Sequence, residues 1–185
     1  MRKLMVASFV SLDGVIESPM TWASPFFDNE CKEYSYEKLA TVDTFLLGRV
    51  TYEMFSARWP QIKGDKYMDR INGLNKLVAS RTLKTVTWNA SLIKGDVAAE
   101  IAKIKRQSGK NIMKYGVSSL DRTLVANNLV DEFSLSIIPT YVGAGKRAFE
   151  DVDTRVNLDL VDTHQFKNGV VILTYVPKHY SPSTN

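Results

Sequence analysis

The chain has 185 residues, 44% of them hydrophobic and 24% charged, which fits a single soluble globular domain. No apolar run approaches the ~20 residues that cross a bilayer, so no membrane partner is expected. Cys31 is the only cysteine, which excludes an internal disulfide and a cysteine-based zinc site, and the two histidines are far apart, so no metal is expected. The net charge of +4 is scattered along the chain, so no nucleic-acid surface is expected, and the single cysteine favours a cytoplasmic location.

Short apolar runs alternate with helix-like stretches over the first two thirds of the chain. Five runs bounded by turn residues predict buried strands: Leu4–Val10, Thr44–Gly48, Lys76–Ser80, Thr85–Trp88 and Asn111–Tyr115. Because these runs are apolar almost throughout, we expect a parallel or mixed sheet that is covered on both faces.

Four stretches between or after these runs predict helices. They are Asp28–Ala40, Arg49–Arg58, Val97–Ser108 and a segment through Leu120, Leu124 and Leu129. Ser118 and Asp121 have the spacing of a capping box in front of the last of them.

The last third of the chain changes to a strand pattern. Alternation over Asp131–Val142 predicts one strand, and Leu158–Phe166 and Val170–Val176 flank Asn168-Gly169, a strong hairpin signal. The sequence therefore predicts an α/β fold, with a mostly parallel sheet that ends in an antiparallel hairpin. One domain is expected over residues 1–178, with a flexible tail over residues 179–185.

One glycine motif looks like a dinucleotide signature. Gly143-Ala144-Gly145-Lys146-Arg147-Ala148 matches the G-x-G-x-x-G/A pattern, but that pattern must open a helix inside a βαβ unit. No helix of useful length follows here, so the segment is interpreted as a glycine turn with Lys146 and Arg147 exposed.

Two other junctions fit nucleotide binding better, because in each a buried strand ends in glycine and a helix starts at once. The first is Gly48-Arg49-Val50-Thr51, and the second is Gly116-Val117-Ser118. Glycine lets a ligand approach the backbone, and the free N–H groups of a helix start suit a phosphate. Helix caps use the same residue types, so a purely structural role stays open.

Two further segments complete the pattern. Ser80 and Arg81 follow a predicted strand, where they would hold a 2′-phosphate or simply form a solvent-facing turn. The loop from Ser11 to Pro25 is long, with a glycine, prolines and apolar residues, as expected of a segment that closes over a ligand.

These pieces together resemble the RibD C-terminal domain family of the dihydrofolate reductase-like superfamily. The carrying motifs are Ser11-Leu12-Asp13-Gly14, Gly48–Glu53, Ser80–Leu83, Tyr115–Leu120, Asp131-Glu132-Phe133 and Pro139–Lys146. The resemblance covers about residues 2–176. It implies a three-layer α/β/α fold with about eight strands and four flanking helices, usually as a homodimer.

The resemblance also implies NADPH laid across the strand ends and a reductase similar to the 5-amino-6-(5-phosphoribosylamino)uracil reductase of riboflavin biosynthesis. Arg49, Thr51 and Gly116–Ser118 would hold phosphates, Ser80 and Arg81 the 2′-phosphate, and Ala7 and Ile16 the nicotinamide. The remaining cofactor candidates on these motifs are Gly14, Gly48, Tyr52, Tyr115 and Val117.

Asp13 and Asp28 are the candidate catalytic carboxylates, and both are equally explained as loop-capping groups. Trp22, Lys146 and Arg147 are candidate substrate contacts. In dihydrofolate reductases a carboxylate anchors the pterin, and counting forward from Trp22 places that position near Asp28. Counting back from Gly48 places it at Lys32, so the anchor is not assigned.

Three hypotheses follow from the sequence. The first is an NADPH-dependent reductase of a small heterocyclic or sugar-derived substrate. The second is a dihydrofolate reductase-type pterin reductase. The third is a dimer that binds a nucleotide without catalysis.

Overall fold

An eight-stranded sheet forms the centre of the protein, whose computed structural model describes residues 1–178. The predicted tail over residues 179–185 lies outside the described residues. The strands are β1 (Leu4–Ser11), β2 (Val42–Gly48), β3 (Asn75–Ala79), β4 (Ala90–Leu92), β5 (Asn111–Tyr115), β6 (Glu132–Ile138), β7 (Leu158–Gln165) and β8 (Val171–Pro177). Their order is β4-β3-β2-β5-β1-β6-β8-β7, parallel from β4 to β6 and antiparallel at both contacts of β8. The predicted mixed sheet with an antiparallel end is confirmed.

Helices cover both faces of the sheet, as predicted. They are α1 (Asn29–Ala40), α2 (Arg49–Ser56), α3 (Lys66–Gly73), α4 (Val97–Arg106) and α5 (Leu120–Ala126). Successive residues of a strand point to opposite faces. Leu4 and Val6 of β1 therefore pack with α4 and α5, while Met5 packs in the cluster that includes residues of α1, α2 and α3.

The predicted strand over Thr85–Trp88 is wrong, since this segment is irregular and β4 begins two residues later. Val86 and Trp88 do pack against the apolar cluster on the α1 face, which is why the run looks like a buried strand. However, Trp88 and Asn89 have φ angles of 60° and 50°, which are incompatible with an extended strand.

Helix α3 was not predicted, and it makes five flanking helices over residues 1–178 where the resemblance implies four. The Asp65 side chain caps its N-terminus by accepting hydrogen bonds from the amides of Tyr67 and Met68. At its other end, the buried Lys76 ammonium donates to the carbonyls of Ile71, Asn72 and Leu74.

The C-terminal hairpin forms as predicted. The Phe166 amide donates to the Val170 carbonyl at 2.9 Å, and Gly169 has a φ of 88°, which suits a glycine in the turn. Strand β7 lies at the sheet edge with most of its residues exposed. Over residues 1–178, the structure contains no helix that is both long and apolar enough to cross a membrane.

Candidate functional site

Three of the predicted cofactor segments follow the carboxyl ends of adjacent parallel strands, and a fourth, at Ala7, lies beside them in the middle of β1. Leu46 of β2 is in register with Lys114 of β5, so Gly48 and Gly116 each lie two residues further along neighbouring strands. Ala7 of β1 is in register with Tyr115, and its carbonyl accepts the Gly116 amide at 2.8 Å. Strand β3 lies on the other side of β2 and leads into Ser80. This edge, where open α/β sheets bind ligands, is called the strand-end site below.

The two glycines of the strand-end site have open space where a side chain would stand. A Cβ at Gly48 or Gly116 would meet no heavy atom within 4 Å. Gly116 also has a φ of 76°, which favours glycine, whereas Gly48 is at −77° and would tolerate any residue. Packing therefore does not require glycine at Gly48, and the open space allows a ligand to approach the backbone closely.

Helix α2 begins at the strand-end site without a side-chain cap. The Asp28, Asp65 and Asp96 side chains cap α1, α3 and α4, whereas the N-cap of α2 is Gly48, which has no side chain to cap it. A carboxylate at the start of α2 would repel an anion. Its absence leaves the amides and the positive end of the helix dipole available for a phosphate.

Arg49 and Thr51 lie in the first turn of α2. The Arg49 guanidinium contacts Glu53 at 2.9 Å, and about half of each side chain is exposed. Exposed ion pairs of this kind contribute only about 0–1 kcal/mol, so Arg49 can turn to an arriving phosphate at little cost. Tyr52 is instead buried, and its hydroxyl accepts the Thr87 amide at 2.7 Å, which ties the segment after β3 to α2.

Ser80 and Arg81 form the turn after β3. The Ser80 hydroxyl accepts hydrogen bonds from the amides of Thr82 and Leu83 at 3.2 and 3.0 Å, so it shapes the turn. The Arg81 side chain is exposed beside it. The turn that was predicted from the sequence is present, and Arg81 is accessible to a ligand there.

A buried ion pair lies under the turn from Gly116 to Ser118. The Lys114 ammonium contacts the Asp121 carboxylate at 2.7 Å, with side-chain exposures of 1% and 0%. Lys114 also donates to the Gly116 carbonyl, and Asp121 accepts the Ser118 amide at 2.7 Å. The last contact is one half of the predicted capping box. Burial lowers the pKa of Lys114, and the nearby Asp121 partly offsets that effect.

Asp13 joins two loops. Its carboxylate accepts hydrogen bonds from the Ser11 hydroxyl at 2.7 Å and from the amides of Val142 and Gly143 at 3.1 and 2.8 Å. The Ser11 contact and these amides lower the pKa of Asp13 to about 2. A carboxylate with that pKa is ionised at neutral pH and has no proton to donate. The geometry favours the loop-capping alternative.

Asp28 is engaged in a similar way. It caps α1 by accepting the Cys31 amide at 3.0 Å, and its other oxygen accepts from the Asn168 side chain at 2.9 Å. These contacts, the Cys31 amide first, lower the pKa of Asp28. Lys32, the other position reached by counting for a pterin anchor, contacts Asp65 at 3.2 Å.

The loop carrying Lys146 and Arg147 packs beside the strand-end site. The Ile16 amide donates to the Lys146 carbonyl at 2.8 Å, and the Ala148 amide to the Gly14 carbonyl at 2.9 Å. Both basic residues line a shallow surface groove together with Ile16, Val117 and Ser118. The structure thus brings these two predicted substrate contacts next to predicted cofactor contacts. Lys146 is also held by Asp151.

A second, narrow cleft that is open to solvent lies between α1 and strands β1, β6 and β8. Aromatic and aliphatic side chains dominate its lining, with Cys31, Ser35 and Ser136 as the polar members. The predicted substrate contact Trp22 packs against the adjoining apolar cluster, and its indole donates to the Glu17 carbonyl at 2.9 Å.

Phe27 connects this apolar cleft to Tyr115. Its ring lies 5.6 Å from that of Phe9 and 5.6 Å from that of Tyr67, and the hydroxyls of Tyr67 and Tyr115 are 3.0 Å apart. Burial raises the pKa of Tyr115 to about 12 and that of Tyr67 well above its usual range. Both phenols are therefore protonated at neutral pH.

Lys114 and Tyr67 are the residues of this site that sequence reasoning missed. A lysine inside an otherwise apolar strand is a signal, since lysine is rarely buried without a partner. With Asp121 seven residues later at a helix start, that signal was sufficient to suggest an ion pair. Tyr67 was missed together with the helix that carries it.

The chain is similar in sequence to known proteins and similar in fold to solved structures. The chain is 33% identical to uncharacterized protein YyaP of Bacillus subtilis (strain 168) over 181 residues, 94% of each chain. The fold of the present chain is similar to that of a putative riboflavin biosynthesis protein from Shewanella sp. PV-4. The TM-score is 0.73 and the identity 19%, over 96% of this chain and 99% of that one.

The fold is also similar to that of a dihydrofolate reductase from Enterococcus faecalis complexed with NADP(H) and RAB-propyl. Here the TM-score is 0.60 and the identity 17%, over 96% of this chain and 97% of that one. The model of the RibD C-terminal domain matches residues 2–172, nearly the whole described chain. The protein therefore belongs to the RibD C-terminal domain family.

Proposed function

We propose that the protein is an NADPH-dependent reductase that transfers a hydride to a small heterocyclic substrate. The observation that carries the proposal is the pair of open glycine turns at Gly48 and Gly116, side by side at the ends of neighbouring parallel strands. Membership of the RibD C-terminal domain family supports it. A dinucleotide needs adjacent backbone sites for its phosphates, and these two turns provide them.

Each part of the strand-end site has a task in this proposal. The amides at the start of α2, with Arg49 and Thr51, would hold one part of the diphosphate, and the turn from Gly116 to Ser118 would hold the other. Arg81 would contact the 2′-phosphate. Bound NADPH would supply the hydride from its nicotinamide, which Ala7 and Ile16 flank.

The apolar cleft between α1 and β1 is the proposed substrate site. Its lining carries no charged side chain, so it favours a flat, uncharged ring. Phe9 and Phe27 exclude water from one side of this ring and hold it against the sheet. Because Asp13 is ionised and engaged with backbone amides, the proton is expected to come from water rather than from this carboxylate.

Titration of the purified protein with NADPH, followed by nicotinamide fluorescence, tests the cofactor. We expect saturable binding in the micromolar range. Absence of saturation up to about 1 mM, the upper end of usual enzyme KM values, would contradict the proposal. Binding without NADPH oxidation by any heterocycle tried would instead favour a nucleotide-binding protein without catalysis.

Arg81→Ala tests the choice between NADPH and NADH. We expect it to weaken NADPH binding about tenfold and to leave NADH binding unchanged, since only NADPH carries the 2′-phosphate. Arg106→Ala, an exposed arginine at the end of α4, is the matched control and should change neither affinity. An equal loss of both affinities in Arg81→Ala would refute the 2′-phosphate role.

The rates of NADPH oxidation with the riboflavin precursor 5-amino-6-(5-phosphoribosylamino)uracil and with dihydrofolate distinguish between the two candidate substrate classes. We expect little turnover of dihydrofolate, because Asp28 is already engaged by Cys31 and Asn168. A homodimer and a cytoplasmic location are part of the same proposal. Light scattering on the purified protein, which measures its mass in solution, tests whether it is a dimer.

A further inference from the structure

Two buried or nearly buried Lys–Asp pairs lie at opposite ends of the parallel strands. Lys114 and Asp121 lie under the strand-end site, with exposures of 1% and 0%. Lys105 and Asp131 lie at the other end, with exposures of 5% and 24%, where Asp131 also accepts the Leu4 amide at 2.7 Å. The two pairs have the same chemistry, but their other hydrogen bonds go to different parts of the backbone. Those of Lys114 and Asp121 go to Gly116 and Ser118, whereas those of Lys105 and Asp131 go to Leu129 and Leu4.

Stability alone does not explain the Lys114–Asp121 pair. Removing two charges from water has a large free-energy cost, and buried ion pairs can often be replaced by apolar residues without loss of stability. The Asp121 Oδ1 atom, moreover, is buried without a hydrogen-bond partner among residues 1–178. An unsatisfied buried oxygen lowers stability further.

The other hydrogen bonds of the pair end on the turn from Gly116 to Ser118. Lys114 draws the Gly116 carbonyl inward, and Asp121 draws the Ser118 amide inward. The amides of Val117 and Ser119 have no acceptor within the described chain. Turning the Gly116 carbonyl inward removes an oxygen that would repel an anion, and the amides of Val117 and Ser119, rather than that of Ser118, are the donors that suit a phosphate.

We propose that Lys114 and Asp121 are positioning residues that set the shape of the Gly116–Ser118 turn and thereby the affinity for the diphosphate of a dinucleotide. The proposal rests on the proposed function. The pair acts through the turn rather than through its own charge, because its two charges cancel and it lies below the surface. Neither side chain touches the ligand.

Identical double substitutions in the two pairs test this role. Lys114→Met with Asp121→Leu removes the support of the turn, and Lys105→Met with Asp131→Leu is the matched control. We expect the first variant to bind NADPH about tenfold more weakly, the effect of losing about one net hydrogen bond to the ligand. The control should bind NADPH within about twofold of the unchanged protein, whatever its melting temperature.

Hydrogen exchange provides a readout that does not depend on the ligand. In the Lys114→Met, Asp121→Leu variant, the Ser118 amide should exchange faster while the amides of β1 keep their protection. A general loss of stability would speed exchange in both. Equal NADPH affinity in the unchanged protein and this variant would overturn the positioning role and leave the proposed function intact.

A milder variant covers the case in which the double variant does not fold. Asp121→Asn keeps an oxygen that accepts the Ser118 amide, but the bond is weaker without the negative charge, so we expect about a threefold loss of NADPH affinity and faster exchange of that amide. Faster exchange of the Ser118 amide with an unchanged NADPH affinity would overturn the proposal. If the unchanged protein itself binds no NADPH, both the proposed function and this inference fail.

Discussion

Glycines at the two ends of the parallel strands differ in the space around them. At the amino end, a Cβ on Gly109 would lie 2.8 Å from Asp43 Oδ2 and 3.3 Å from Arg2 Cζ. At the carboxyl end, a Cβ on Gly48 or Gly116 would meet nothing within 4 Å. Glycine at Gly109 makes room for the protein's own side chains, whereas glycine at the strand-end site leaves room that the protein does not use.

Polar groups show the same difference. At the amino end, the Arg2 guanidinium is buried and bonded to Asp43, Thr44 and the Lys110 carbonyl. At the carboxyl end, α2 begins uncapped and Arg81 is exposed. One end therefore satisfies its hydrogen-bonding groups internally, and the other leaves donors for a ligand. Changes at the amino end should affect stability, and changes at the carboxyl end should affect binding.

The largest stability effect is expected from Lys76→Met at the amino end of β3. The change leaves the carbonyls of Ile71, Asn72 and Leu74 without their donor, at a cost of about 3 kcal/mol in unfolding free energy. Urea denaturation measures this loss, with the exposed Lys63→Met as control. NADPH affinity of the folded protein should stay the same. A large loss of affinity would show that the two ends are coupled.

Gly109→Ala should lower the free energy of unfolding by a smaller amount, about 2 kcal/mol. The methyl group would displace Asp43 from its contact with Arg2, and the φ of 147° is unfavourable for alanine. Thermal and urea unfolding measure the change. Gly73→Ala is the control, since a Cβ there meets nothing within 4 Å. Equal stability of the two variants would contradict the crowding at Gly109.

The fold was largely predictable because its strands and helices carry local signals. Continuous apolar runs marked β1, β2, β3 and β5, and the Asn168-Gly169 turn marked the hairpin. The segment from Thr85 to Trp88 misled because its apolar side chains pack in the core while its backbone turns at Trp88. Helix α3 was missed because it is short and depends on the Asp65 cap and on packing at Tyr67 and Ile71.

The site was predictable only in pieces. Glycine followed by a helix start marked Gly48 and Gly116 separately, but their proximity depends on β2 and β5 being neighbours, which no local pattern encodes. The position of Lys146 beside Ile16 likewise depends on a contact between distant loops. The partners of Asp13, the amides of Val142 and Gly143, are distant in sequence for the same reason.

Gly48→Ala should separate binding from stability. Its φ of −77° is favourable for alanine and the added methyl meets no atom, so the unfolding free energy should change by less than about 1 kcal/mol. NADPH affinity should fall about tenfold, or ~1.4 kcal/mol, because the methyl occupies the space beside the phosphate. Fluorescence titration and thermal unfolding of the same sample measure both. Unchanged affinity would mean that no ligand approaches this turn.

Asp13→Asn should give the smallest effect, visible mainly in acid. The pKa of Asp13 is lowered from 3.8 to about 2 in the folded protein, so the folded state binds this proton less readily than the unfolded state does. Its contribution to stability is therefore complete above pH ~4 and is lost as the pH falls through about 2.

The asparagine variant lacks this contribution, so its melting temperature should differ most from that of the unchanged protein near neutral pH, and the two should converge as the pH falls from about 5 to 2. Asp153→Asn is the control, because its contact with Arg122 is an exposed pair at 3.5 Å. A difference that stayed constant over this range would show that Asp13 does not join the two loops through its charge. The contacts with Val142 and Gly143 would then be held by packing alone.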